Sequence, residues 1–395
     1  VLPSRFVTIA LSLLLAVYVG LLARGIGKPD GWLIDDKGRA QSYDYVALWA
    51  AGRLTLEGSP RKAYDWKEHQ QAQNRGLGYD SPDRYPIAYP PTYLMLMAPF
   101  AALPYIPSML VFVTLTAGLV GWAGARIAGR PEGALWALAT TATFWNLGVG
   151  QNAFLTAGLL GAGLALLPTR QIAAGVAFGL LSWKPHLGLL LPVALAAAGY
   201  WRAFLAAAFT ALAMALLCYL ALGIETWSAW LASAREFTQA IMTDYKRPFR
   251  LQSLFGVLAT WKVPSAYALL AQNALVVTLA AGTFFLWRSA APYALKAAAL
   301  ATATLLLSPY LFIYDLMALA VAQTFLIRHG LDEGNLDHVD IGAIVLANLL
   351  VLAFPFALFP TGFLAAIVLA LAIGRRMTGQ KHLPAPNRAT AMGRA

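Results

Sequence analysis

Residues 341–374 carry no charged side chain. One helix of that length would be roughly 50 Å long, well beyond the ~30 Å hydrocarbon core of a bilayer. Pro355 and Pro360 fall in the middle, so the stretch reads as two membrane helices joined by a turn. Comparable apolar runs, nearly free of charge, recur at 4–23, 107–125, 134–149, 152–168, 203–222, 264–287, 293–308 and 311–327. Another, 171–200, holds Lys184-Pro185-His186 at its centre. A lysine and a proline there predict two short helices meeting in a polar pocket. Segment 87–103 contains Pro90, Pro91 and Pro99 and reads as re-entrant or interfacial, not as a crossing. The expected fold is an all-α polytopic membrane protein with about 12 transmembrane helices.

Composition agrees. Hydrophobic residues make up 59% and charged residues 12%, against roughly 25% charged in soluble domains. The sole cysteine, Cys218, leaves no internal disulfide and no cysteine-based zinc or iron–sulfur site. The first run is longer than the apolar core of a cleavable signal peptide and lacks an obvious small-residue cleavage site, so it is expected to stay as a span.

Basic residues in short connections set the expected orientation. Arg126, Arg130, Arg170, Arg202, Arg288, Lys296 and Arg328 would face the cytoplasm. Residues 24–86 and 223–253 then form the first and second extracytoplasmic loops. Residues 150–152, 184–186 and 308–315 fall on the same side. The expected organisation is a single membrane domain, 1–374, and a basic cytoplasmic tail, 375–395, without an acid. This placement accounts for the net charge of +11. No basic patch interleaved with base-stacking aromatics points to nucleic acid.

Loop 24–86 holds nine of the eighteen acids. Within it, SYDYVALWAAGRLTLEG can form a helix lying on the membrane surface, with Tyr45 and Trp49 at headgroup level. Asp44 precedes that helix. It either caps the helix N-terminus or holds a carboxylate at the membrane boundary, where it could act as a general base. Gly150-Gln151-Asn152 interrupts apolar sequence with two amides, suited to a hydroxyl-rich ligand or to helix–helix bonding. Lys184 is an ammonium between apolar runs, suited to a phosphate or to snorkelling. His186 could add a hydrogen bond or be structural. Tyr310 follows Ser308-Pro309, and Asp315 is the sole charge between Lys296 and Arg328. Asp315 needs either a partner or a water-filled cavity. The cluster Lys246-Arg247-Pro248-Phe249-Arg250 runs against the positive-inside bias. A lipid phosphate or anionic headgroups would explain it. No nucleotide-binding glycine loop, HExxH or serine-hydrolase elbow is present, which argues against a nucleotide-sugar donor and ATP-driven transport.

The order of these pieces resembles the family 87 glycosyltransferases. It runs from an Asp-aromatic pair in a long first loop through AxYPP, GQN and a Lys-Pro in an apolar hairpin to a late Ser-Pro-Tyr. The similarity covers roughly 40–320. The best-known members are mycobacterial polyprenol-phosphate-mannose-dependent α-mannosyltransferases. The resemblance implies a GT-C fold in the bacterial inner membrane, with the active site facing outside. It implies inverting transfer of a monosaccharide, mannose foremost, from a polyprenyl phosphate donor to a glycolipid or envelope glycan. The base would be Asp44. The donor phosphate would meet Lys184 and His186, with Arg247 and Arg250. Tyr45, Tyr89, Gln151, Asn152 and Tyr310 would contact sugar or acceptor. Where mycobacterial members continue Ser-Pro with Trp and His, this chain reads SPYLFIYDL, and Asp315 is expected to stand in as a second catalytic residue. No cofactor is expected. A divalent metal is compatible but not indicated, because the outer acids form no compact ligand motif. The competing reading is a transporter or flippase for a lipid-linked sugar, which should show matching halves. None is evident.

Overall fold

The computed structural model describes residues 4–23, 43–81, 85–244, 247–334 and 336–379. The early-loop acids Asp30, Asp35 and Asp36, together with Asp83, Lys246 and the tail beyond 379, lie outside them. Among the described residues every regular element is helical.

Among the described residues, five helices are long and apolar enough to cross a membrane: Tyr105–Ala128, the first part of Trp201–Ile241, Ser265–Arg288, His338–Ala357 and Thr361–Thr378. These do not confirm the expected count of about 12 transmembrane helices. Several apolar runs are broken or short. Run 134–149 divides into Gly133–Leu138 and Thr141–Val149. Run 311–327 begins as the 3-10 turn Ile313–Leu316 before the helix Met317–Asp332. Run 152–168 becomes Ala153–Leu166, a helix buried on nearly every face. Broken backbone is tolerated at these places because protein, not lipid, surrounds it. Thr141, for example, donates its backbone N–H to Asn348 Oδ1 at 2.9 Å and its hydroxyl to the Asn348 carbonyl at 2.9 Å. The Pro355–Pro360 division is as expected, with helices His338–Ala357 and Thr361–Gly379 on either side. So is the break at Lys184, between Gln171–Leu180 and Leu190–Ala197. Segment 87–103 contributes an eleven-residue helix, Pro91–Ala101, about 16 Å long and too short to cross.

The first loop differs more sharply from its expected form. Helix Tyr43–Leu56 does not lie on a surface: Tyr45 to Ala51 are all buried. Helices Trp66–Leu77 and Pro91–Ala101 pack against it. Gly52 permits that approach, since a Cβ there would sit 2.7 Å from the Met97 carbonyl oxygen. The Tyr45 hydroxyl bonds Ser108 Oγ at 2.7 Å, and Trp49 Nε1 donates to the Leu103 carbonyl at 3.0 Å. A helix covered all round needs apolar residues all round, and that erases the amphipathic stripe expected of an interfacial helix. Asp44 sits inside the first turn, two residues past the capping position.

Helix Trp201–Asp244 is interrupted at Gly223, whose φ of 74° is not helical. It is therefore an apolar span followed by an outer helix, 224–244, that folds over the first loop. Trp230 Nε1 donates to the Ala88 carbonyl at 3.2 Å and fastens it there.

At the far end of the last hairpin, Asp340 is fully buried and pairs with Arg375 at 2.8 Å and with Arg376. Asp337 accepts the Asp340 backbone N–H at 3.0 Å and also pairs with Arg375. Arg375 and Arg376 thus belong to the hairpin, not to a solvated tail. Removing one partner of a buried pair typically costs 3–5 kcal/mol. Both arginines retain some solvent, so Asp340→Ala is expected to lower unfolding free energy by about 3 kcal/mol, read by thermal or denaturant unfolding in detergent.

Candidate active site

Several segments that are distant in sequence converge on one cavity of about 770 Å³. The convergence starts at Gly150. Its φ of 75° ends helix Thr141–Val149, with its N–H on the Asn146 carbonyl. Left-handed backbone suits glycine there. Asn146 Oδ1 then accepts the N–H of Ala153 at 3.0 Å, which starts the next helix. Gln151 and Asn152 are held in the bend between the two.

Gln151 Nε2 donates to Asp44 Oδ2 at 2.8 Å. Its Oε1 accepts from the Tyr89 hydroxyl at 3.2 Å and from the Asn152 N–H at 3.1 Å. One amide therefore ties the first-loop helix to the Tyr-Pro-Pro segment. Asn152 Oδ1 accepts from Lys184 Nζ at 3.2 Å. Lys184, almost fully buried, also forms an ion pair with buried Asp315. Pro185 fixes the lysine's backbone outside the helix region, between a 3-10 turn and the next short helix. Asp315 Oδ2 accepts the Phe312 N–H at 3.1 Å, which closes the turn after Ser308-Pro309. The rings of Tyr89, Trp183 and Tyr314 stand 5.6–5.7 Å from Lys184 Nζ, where their faces favour a cation. A continuous polar chain thus runs from Asp44 through Gln151, Asn152 and Lys184 to Asp315.

Of the residues expected to form a site, Asp44, Tyr89, Gln151, Lys184, His186, Arg250, Tyr310 and Asp315 line the cavity. Asn152 is buried just behind it and touches it through Lys184. Two are not brought in. Tyr45 points to Ser108 instead, which corrects its expected role as a sugar contact. Arg247 is exposed and outside the lining, whereas Phe249 and Arg250 of its cluster line the cavity. Asp315 is paired on both oxygens, so its geometry is that of a positioning residue and not of a free acid or base.

Asp44 is different. Burial pushes its carboxyl up to about 6, opposed by the Gln151 hydrogen bond and by nearby Arg250. It is the cavity carboxylate without an ion-pair partner among the described residues. His186 Nε2 is buried and has no partner there. No carboxylate pairs with Arg250 among the described residues. No cluster of three or more metal-ligating side chains occurs among them either.

Sequence reasoning missed several supports. His69 bonds the Ala47 carbonyl at 3.0 Å and Gln73 at 3.1 Å, fixing the Asp44 helix from below. Burial holds its imidazole down at about 4, so it is neutral. Gln252 Nε2 donates to the carbonyls of Phe249 and Arg250, while its Oε1 accepts the Gly362 N–H at 2.8 Å. It shapes the turn that aims Arg250. Neither residue stands in a pattern that sequence alone could single out.

The buried pair makes a testable contrast. Lys184→Met and Asp315→Asn each strand one buried polar partner, and each is expected to cost about 3–5 kcal/mol. The double variant Lys184→Met/Asp315→Leu should recover most of that stability in thermal unfolding.

Comparison with known proteins completes the site. No curated protein matches the chain significantly. The family model of glycosyltransferase family 87 matches residues 87–309. That region includes Tyr89, Gln151, Asn152, Lys184, His186 and Arg250, while Asp44 and Asp315 flank it. GT-C superfamily membership is consistent with the match. The match spans more than half of the chain, which belongs to glycosyltransferase family 87 and is a membrane glycosyltransferase.

Proposed function

We propose that the protein moves a single sugar, mannose foremost, from a polyprenyl phosphate carrier to a hydroxyl of a glycolipid or envelope glycan. In this reading the cavity opens outside the cytoplasm. The observation that carries the reading is the pairing of opposites in one cavity: an unpaired carboxylate, Asp44, shares it with the cations Arg250 and Lys184.

The reaction follows from those groups. The acceptor oxygen attacks the anomeric carbon as its proton passes to Asp44. The new carbon–oxygen bond forms as the bond to phosphate oxygen breaks, and the polyprenyl phosphate departs with the electron pair. A single displacement inverts the anomeric centre and leaves no covalent sugar on the protein. The leaving phosphate needs charge stabilisation more than protonation. Arg250 provides a fork of donors suited to it, and the unpartnered Nε2 of His186 can add another. Lys184 is committed to Asp315 and Asn152 and acts as a fixed charge behind them. Tyr89 and Gln151 hold Asp44 in place and present hydroxyl and amide groups to the sugar.

Asp44 must be ionised to act, and a carboxyl near 6 is about tenfold more ionised than protonated at pH 7. Transfer of label from a polyprenyl phosphate-mannose donor to a membrane extract should therefore fall as pH drops through about 6. Gln151→Leu removes a hydrogen bond that lowers the Asp44 value, so its acid limb should move to higher pH. Asp44→Asn should cost at least 10²-fold in rate while the protein stays folded. Full activity in Asp44→Asn, or no transfer from any prenyl phosphate sugar, would overturn the assignment.

A further inference from the structure

A second cavity, of about 400 Å³, adjoins the first and shares Pro86, Phe237 and Ile241 with it. Its walls come from the first loop and from the outer helix beyond Gly223. Tyr64 lines it and donates its hydroxyl to the Tyr89 carbonyl at 2.9 Å, linking the two floors.

The chemistry of the two cavities differs. The first carries Arg250, Lys184 and His186 beside Asp44 and Asp315. The second carries Asp65 and Glu236 and has no lysine or arginine in its lining. A phosphate would meet two carboxylates there, with no lysine or arginine to offset them. The rest of its lining is largely apolar, including Ile87, Phe237 and Ile241. What fits is a neutral, hydroxyl-rich ring. Its C–H face can lie on Trp66, which is 48% exposed, and its hydroxyls can donate to carboxylate oxygens. Asp65 uses Oδ1 to cap helix Trp66–Leu77, and Oδ2 makes no hydrogen bond among the described residues. Glu236 is exposed and unpaired among them.

We infer that this second cavity is the acceptor subsite and that it binds a neutral glycan residue, leading its hydroxyl past Phe237 toward Asp44. The inference rests on the transferase reading above. The anionic donor enters the cavity that holds Arg250 and Lys184, and the uncharged acceptor enters the one whose lining has carboxylates but no lysine or arginine.

The test uses the full chain in lipid nanodiscs. Saturation-transfer NMR follows methyl α-D-mannopyranoside, methyl glucoside and methyl galactoside, with farnesyl phosphate present at saturation to occupy the donor side. Trp66→Ala and Glu236→Gln alter exposed side chains and should fold. Each is expected to reduce the signal of at least one glycoside fivefold or more while farnesyl phosphate affinity stays within twofold. Arg250→Ala should do the reverse. Unchanged glycoside signals in both Trp66→Ala and Glu236→Gln, or none from wild type, would overturn the subsite. A strong preference for glucosamine over the methyl glycosides would overturn its neutral character. Failure of the donor reading shows separately, as wild type that does not bind farnesyl phosphate.

Discussion

The ion pair between Lys184 and Asp315 is the constraint on which the site depends. Two charges buried this deeply are tolerable only together, with their remaining hydrogen bonds filled. Asn152 and the Phe312 N–H fill them. Meeting that demand pulls the Lys-Pro break of one apolar hairpin against the turn after Ser308-Pro309. The amide bend at 150–152 is drawn between them. Once those three places are locked, Gln151 has one direction in which to reach, and Asp44 and Tyr89 complete it.

This distinguishes the carboxylate proposed as base from the structural one. Asp315 has a cation and a backbone N–H, so its charge is spoken for. Asp44 has only an amide, so burial raises its proton affinity toward the range where a base is useful near neutrality. Both are aspartates in the same cavity, and their surroundings alone divide the roles.

Much of this was legible in the sequence. The charge-free run at 341–374, the Lys-Pro break and the cavity motifs were readable because lipid makes a polar residue in an apolar run conspicuous. The amphipathic reading of 43–56 failed for a related reason. Tyr45, Val46 and Ala47 are buried by helices contributed from elsewhere in the chain, and no local periodicity encodes a partner that arrives about twenty or more residues later. The expected span count is not confirmed for a similar reason: a helix such as Ala153–Leu166 can be short because its neighbours hide its ends, which hydropathy cannot register. His69 and Gln252 act through backbone carbonyls, and an ordinary histidine or glutamine in a loop carries no mark of such a partner.

The break at Gly223 has a mechanical meaning as well. Apolar spans tilt to match the thickness of the bilayer around them. A rigid helix from Trp201 to Asp244 would carry each change of tilt into the wall formed by Trp230 and Phe237. A non-helical residue at the boundary lets the span follow the lipid while the outer helix stays fastened to the Ala88 carbonyl. The shape of the cavity is thereby uncoupled from the membrane in which the protein sits.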